Sequence, residues 1–144
     1  MRHGSNYPRR MTTLGIDKLR QVHLFAALDE ATLARIAALA TEFTAPAGQV
    51  LIETGQPGTG VFIIEEGSVR VDLPDGGSRV RGPGAFFGEL AVLANTPRAA
   101  RVIVTASLTA LAIRRTDLLG LLEEEPSIAL EMLHELARRL AESA

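Results

Sequence analysis

The sequence predicts an α+β fold, in which a β-roll of about eight strands is flanked by helices at its N- and C-terminal ends. Two observations support this expectation. Between residues 41 and 113 the chain consists of short apolar runs about ten residues apart, separated by turns rich in glycine and proline. Toward both ends the apolar residues recur instead at helical spacing. Short strands joined by tight turns are typical of a sandwich or barrel, and a roll with terminal helices follows.

The N-terminal part is expected to contain a leader and two helices. Residues 1–13 are polar and without periodicity, so they are predicted to be a disordered leader, while residues 14–144 form one domain with its own core. Apolar residues between Leu14 and Leu28 suit a short helix and a turn. Asp29 is a suitable N-cap for a helix over Glu30–Ala40.

The strands of the roll are expected at seven apolar runs. Glycine and proline punctuate the chain between them, as tight turns require. The runs are Phe43-Thr44, Val50–Ile52, Val61–Ile64, Val69–Leu73, the residues around Val80, Val102–Thr105 and Leu108–Ile113.

Two helices are expected at the C-terminus. Thr116 is predicted to cap a helix over Asp117–Glu124, and Pro126 to occupy the first turn of the next, where a proline costs little. An apolar stripe along this second helix would pack on the roll. The stripe comprises Ala129, Met132, Leu133, Leu136, Ala137 and Leu140.

Composition excludes several classes of function. A net charge of −2 gives no electrostatic case for nucleic acid, and the absence of cysteine excludes disulfides and thiolate-ligated zinc. The three histidines are far apart, so no metal site or resident cofactor is expected, and no catalytic Ser/His/Asp arrangement is found. No apolar run approaches the ~20 residues of a membrane span. We therefore expect a cytoplasmic protein that is not an enzyme and contacts neither membrane nor nucleic acid within this chain.

The segment Phe86–Ala100 carries the candidate chemistry. Gly88 allows the backbone to approach a ligand closely, and the residues after it can form one helical turn whose unpaired N–H groups attract an anion. Arg98 adds a charged planar fork suited to phosphate oxygens. On strand parity Arg98 points into the roll with Val102 and Val104, where it needs an anionic partner: Glu89 in the empty protein, or a bound phosphate. Glu89 could itself accept a hydrogen bond from a sugar hydroxyl, which suggests a nucleotide.

The run FGELAVLANTPRAA, residues 87–100, resembles the phosphate-binding cassette of cyclic nucleotide-binding domains, which are found in bacterial catabolite activator proteins, kinase regulatory subunits and gated channels. The resemblance implies that cAMP, with cGMP as the alternative, is the ligand. It assigns the phosphate to Arg98 with backbone N–H groups of Leu90, Ala91 and Ala99, and the ribose 2′-hydroxyl to Glu89. The implied ligand-binding residues are Phe87, Gly88, Glu89, Leu90, Ala91, Pro97, Arg98, Ala99 and Ala100.

The resemblance also implies a regulatory mechanism. In this family the N-terminal helices shift when ligand binds, and the last helix closes over the base as a lid and often forms a dimer seam. A homodimer or an effector domain is therefore the expected partner.

Two residues depart from the family's motif. Ala99 stands where many members carry Ser or Thr, which weakens the expected selectivity for guanine. Arg101 stands where Ser or Thr is also common, and it is expected to point outward.

Three alternatives stay open. The fold could have lost nucleotide binding and serve as an interaction or dimerisation scaffold. A catalytic partner could lie outside these residues. A jelly-roll barrel could use Gly88 and Pro97 as turn residues only, with Arg98 as a solvated charge.

Overall fold

The computed structural model describes residues 13–143 of the chain, so the predicted leader lies outside the described residues except for Thr13, which begins the first helix. The helices are α1 (Thr13–Arg20), a single 3₁₀ turn (His23–Phe25), α2 (Glu30–Leu39), α3 (Glu89–Ala94), α4 (Arg115–Glu124) and α5 (Pro126–Ser143). The strands are β1 (Thr41–Ala45), β2 (Val50–Ile52), β3 (Gly60–Asp72), β4 (Ser78–Arg81), β5 (Phe86–Phe87) and β6 (Arg101–Arg114).

The strands form one antiparallel sheet around two long members, β3 and β6. The order is β1-β6-β3-β4, with β2 also paired to β6 and β5 to β3. The pairing of β3 with β6 shifts register between Ile64 and Val69, where the strands bend. This bend explains the strand count, because each long strand contains two of the predicted apolar runs. The predicted roll with terminal helices is confirmed, with fewer and longer strands.

The core has two parts that meet at β5. One lies between the roll and the helices and includes Phe86, while the other fills the roll and includes Phe87. Neighbouring strand residues point to opposite faces, so the aromatic pair contributes one ring to each part. The ring of Phe87 stacks on that of Phe62, with centroids 5.0 Å apart. The segment that follows β5 is therefore held between both halves of the core.

The helix predictions are confirmed except for one cap. The Asp29 side chain accepts a hydrogen bond from the Thr32 N–H at 2.8 Å, as expected of an N-cap. The predicted Thr116 cap is wrong, because α4 begins at Arg115 and Arg114 is its N-cap residue. The Arg115 N–H donates to Thr59 O at 2.9 Å, so a tertiary contact fixes this start.

The buried face of α5 differs from the predicted stripe. Ile128 and Met132 are buried, and Leu136 packs against the same core. By contrast, Leu133 and Leu140 are 62% and 73% exposed. Met132 and Leu136 of the predicted stripe are thus confirmed on the buried face, whereas Leu133 and Leu140 lie outside it. The buried face is instead completed by Ile128 and by the partly buried Glu135 and Arg139, two charged residues that an apolar pattern does not count.

Candidate functional site

A cavity of about 390 Å³ lies between the roll, α3 and the C-terminal end of α5. Its walls combine apolar side chains with arginines and carboxylates. The residues from β2, β3, the turn after β3, β4, β6 and α5 that line it are Ile52, Val71, Leu73, Arg79, Arg81, Val102, Leu136, Arg139, Leu140 and Glu142. The candidate segment contributes Phe87, Gly88, Glu89, Leu90, Ala91, Arg98, Ala99 and Ala100.

Arg98 is buried in the wall of this cavity, with 7% of its surface exposed. Its Nη1 donates to Gly88 O at 2.5 Å and its Nη2 to Gly60 O at 2.7 Å. Burial lowers the pKa of the guanidinium, and the nearby Glu89 partly offsets that effect. Two neutral carbonyls orient this cation without neutralising it, so the site favours an anion in the cavity.

The backbone on either side of Arg98 is fixed by the turn before β3. The Arg98 N–H donates to Gln56 O, and Gly55 N–H donates to Arg98 O, both at 2.8 Å. Pro97 forms a bridge with Pro57 just before it. These contacts hold the arginine in place before β6 begins at Arg101.

Gly88 joins β5 to α3 at the point of closest approach to Arg98. Its φ of 86° is left-handed, and a Cβ built on it would lie 2.8 Å from Arg98 Nη1 and 3.3 Å from Ile52 Cδ1. Any side chain here would be strained and would displace the guanidinium. The glycine is thus required both by the turn and by the arginine.

Glu89 opens α3 and is 5% exposed. Burial raises the pKa of its carboxyl, while its own backbone N–H and then Arg139, Arg81 and Arg98 act to lower it. Its Oε1 lies 3.6 Å from Arg139 Nη1. Glu89 therefore pairs with Arg139 of α5, whereas the partner proposed from the sequence was Arg98.

Arg139 attaches the end of α5 to the site. Its Nη2 donates to Phe86 O at 2.9 Å, and its Nε donates to Glu135 Oε2 at 2.8 Å. The guanidinium carbon also lies 4.4 Å from the centroid of the Phe86 ring. The α5 helix is thus linked to the residues on both sides of Gly88.

The family assignment agrees with this geometry. The cyclic nucleotide-binding domain family matches residues 42–125, which is more than half of the chain and includes the whole segment from Gly88 to Arg98. The chain belongs to the cyclic nucleotide-binding domain family. The resemblance stated from the cassette is therefore confirmed.

Relatives of this cyclic nucleotide-binding domain include channels and regulators. A cyclic nucleotide-gated potassium channel of Mesorhizobium japonicum is 38% identical over 75% of this chain and 30% of its own length. The crystal structure of Thermus thermophilus catabolite activator protein superposes with a TM-score of 0.73 at 28% identity, covering 83% of this chain and 59% of that one. The regulatory domain of Toxoplasma gondii PKA, crystallised with cAMP, gives a TM-score of 0.74 at 23% identity over 90% of this chain and 49% of its own, a likeness of fold.

The structure brings together nearly all of the residues predicted for the ligand. Pro97 is absent from the cavity wall and forms a bridge with Pro57 instead. Arg101, as expected, points outward and pairs with Glu53 at 3.4 Å. These positions do not test which residues bind a ligand, so the binding roles stay predictions.

The sequence did not predict the cavity-lining residues that lie outside the candidate segment. The arginines of β4 and the charged residues of α5 line the cavity although they lie outside the cassette. Strand parity on β4 was the available signal, since Arg79 and Arg81 must share one face. For Arg139 no local signal existed, because its contacts depend on the docking of α5.

Residues 13–143 lack a membrane-spanning helix and a metal-binding cluster. In that range no helix combines the length and the apolar character needed to span a membrane. Within the same residues no cluster of three or more His, Asp or Glu side chains could hold a metal ion.

Proposed function

We propose that this domain binds a cyclic nucleotide, cAMP in preference to cGMP, in the 390 Å³ cavity and converts occupancy into a rearrangement of its flanking helices. The observation that carries the proposal is Arg98, a buried guanidinium held by two carbonyls at the wall of a cavity. A cyclic phosphate would supply the negative charge that this cation lacks.

Glu89 would bind the sugar of the same ligand. Its carboxylate lines the same cavity one residue after Gly88 and can accept a hydrogen bond from a ribose hydroxyl. Ala99 also lines the cavity and carries no hydroxyl that could bind the guanine amino group. Arg98 would thus bind the phosphate, and Glu89 would bind the sugar hydroxyl.

Calorimetric titration of the domain with cAMP and with cGMP tests this proposal. We expect saturable binding of both at one site, with cAMP tighter by about 1–2 kcal/mol, the scale of one or two hydrogen bonds. The absence of heat at millimolar nucleotide, with the domain folded, would favour the scaffold alternative.

Glu89→Ala should separate the sugar contact from the phosphate contact. We expect cAMP affinity to fall by about tenfold or more, because a hydrogen bond to a charged group is lost. Binding of 2′-deoxy-cAMP should hardly change, since that analogue has no hydroxyl to lose. Equal losses for both nucleotides would show that Glu89 acts through the phosphate site or through Arg139, and not through the ribose.

Occupancy should alter the C-terminal half of α5. Ile128 and Met132 hold the first half in the core, whereas Leu136, Arg139 and Leu140 lie at the cavity. A ligand that contacts Glu89 competes for the carboxylate that pairs with Arg139, so the two equilibria are coupled. We expect hydrogen exchange in residues 133–140 to change on saturation with cAMP, and not in an Arg98→Ala variant. Identical exchange with and without ligand would make α5 a fixed packing helix.

The chain spans about 30% of the length of the curated potassium channels it matches first. The channel, activator and kinase-regulatory relatives support a regulatory role and not a catalytic one. A homodimer or an effector domain contacting the terminal helices, and a cytoplasmic location, are the settings we propose for it.

A further inference from the structure

A second cavity, of about 170 Å³, lies between the end of α1 and strand β3. Lys18, Gln21 and Val22 line it on the side of the helix, and Glu65 and Glu66 line it on the side of the roll. None of these residues lines the cavity proposed for the nucleotide. The second cavity is therefore a separate feature, at the junction of α1 with the roll.

Glu65 places an acidic group at this junction with no donor to bind it. Both of its carboxyl oxygens are buried, and no amide, hydroxyl or cationic group of residues 13–143 donates a hydrogen bond to either of them. Lys18, which lines the same cavity, is instead paired with Glu66, its Nζ 4.0 Å from Glu66 Oε2. Because a buried carboxylate without donors is costly, the protonated form of Glu65 is favoured here.

The carboxyl of Glu42 in β1 favours the same result. Glu42 lies opposite Leu111 of β6, which in turn lies opposite Ile63 of β3. Leu111 and Ile63 belong to the core between the roll and the helices, so Glu42 shares that face of the sheet. Its side chain interacts with that of Glu65 by a hydrogen bond as well as by charge. Since two ionised carboxylates repel and neither can donate, this hydrogen bond requires that the pair hold one proton.

The charges around Glu65 act mostly in one direction. Burial has the largest effect on its pKa, followed by the hydrogen bond and the charge of Glu42, and all of these raise it. Among the described residues the other charges that act on it are Lys18 of α1, which lowers the pKa, and Glu66 of β3, which raises it. Together they raise the pKa of Glu65 from 4.5 to about 8. The pair therefore keeps a proton at neutral pH and loses it in the alkaline range.

We propose that Glu42 and Glu65 share one proton at the junction of α1 with the roll, and that loss of this proton weakens the packing of α1. The protonated pair carries one negative charge, whereas the deprotonated pair carries two, which are hydrated more easily when α1 moves away from β3. Leu19 and Val22 hold the helix in the core while the pair is protonated. The inference goes beyond the proposed function and does not depend on nucleotide binding.

The effect of the pair on stability has a definite sign. In the unfolded chain Glu65 loses its proton near its ordinary pKa of 4.5, whereas the folded domain retains it until about pH 8. The stabilisation that the protonated pair provides is therefore fully present below pH 4.5, falls as the pH rises, and is lost above about pH 8. Glu65→Gln imitates the neutral carboxyl and has no proton to lose, so it should remove this dependence.

Thermal unfolding of the parent and of Glu65→Gln between about pH 5 and pH 9 measures the effect. At about pH 8.5 we expect the variant to melt about 5 °C or more above the parent, and the difference to shrink toward pH 5. Glu123→Gln is the matched control, because it makes the same change of charge at an exposed position and should differ from the parent equally at every pH. A difference between the parent and Glu65→Gln that does not change with pH overturns the inference.

The proton itself can be followed in the folded parent by carbon NMR of the Glu65 carboxyl. We expect its titration midpoint near pH 8, and a midpoint lower by about one unit or more in Glu42→Gln, whose neutral amide does not repel an ionised Glu65. A midpoint near 4.5 in the folded parent would show that no proton is shared.

Hydrogen exchange tests whether the proton controls α1. Protection factors in residues 17–22 of the parent should fall by about tenfold or more between about pH 6 and pH 8.5, and those of Glu65→Gln should stay constant. Protection that stays constant in the parent as well would show that the pair titrates without moving α1, and the inference would then be wrong.

Discussion

Replacing Arg98 with alanine should lower the affinity for cAMP by about two orders of magnitude or more. The guanidinium would meet a formal negative charge in a cavity where it is 7% exposed, and charge-assisted hydrogen bonds are strongest in such places. Truncating one member of a buried charged pair typically costs about 2–5 kcal/mol, and about 1.4 kcal/mol corresponds to tenfold. Calorimetric titration measures the loss.

Two further variants show that the loss is specific to Arg98. Arg98→Lys should recover only part of the affinity, because an ammonium lacks the rigid planar fork with which a guanidinium binds two phosphate oxygens side by side. Arg101→Ala, three residues later on the exposed surface, should bind like the parent. Circular dichroism should show that each variant is folded. A folded Arg98→Ala domain that binds cAMP as tightly as the parent would refute the phosphate assignment.

Gly88→Ala is expected to damage both stability and binding. A left-handed φ of 86° costs an alanine about 1–2 kcal/mol, which should lower the melting temperature. The added Cβ would also lie 2.8 Å from Arg98 Nη1, so the guanidinium must shift from its position at the Gly88 carbonyl. We expect cAMP affinity to fall about tenfold or more, because a displaced arginine no longer meets the phosphate.

Gly84→Ala separates the two effects. Gly84 has a φ of 87°, nearly that of Gly88, but a Cβ on it would meet nothing within 4 Å. Its alanine variant should therefore lose similar stability while keeping the parental affinity. If both variants keep full affinity at equal stability loss, the contact between Gly88 and Arg98 has no part in binding.

Local features of the fold were predictable because each depends on a few neighbouring residues. Asp29 caps α2 through a hydrogen bond to Thr32, three residues away. Pro126 begins α5, and the turn at Asn95 follows α3, as the residue types require. The limits of β3 and β6 were harder to predict, because a bent strand stays paired through turn-like sequence around Gly67. In that case the pairing of the partner strand overrides the local turn signal.

The sequence by itself determined the cassette: a glycine that allows a close approach of the backbone, one helical turn, a turn at proline and an arginine whose parity directs it inward. All of these lie within thirteen residues of one another, from Phe86 to Arg98, so local backbone preference and alternation suffice. Only the tertiary structure decided what faces this segment. The bond from Arg139 to Phe86 O joins residues 53 positions apart, and it forms because α5 docks on the roll with the face that also buries Ile128 and Met132. The pairing of Glu89 with Arg139 and the exposure of Leu133 follow from that packing. The pairing of β4 with β3 decides that Arg79 and Arg81 face the cavity.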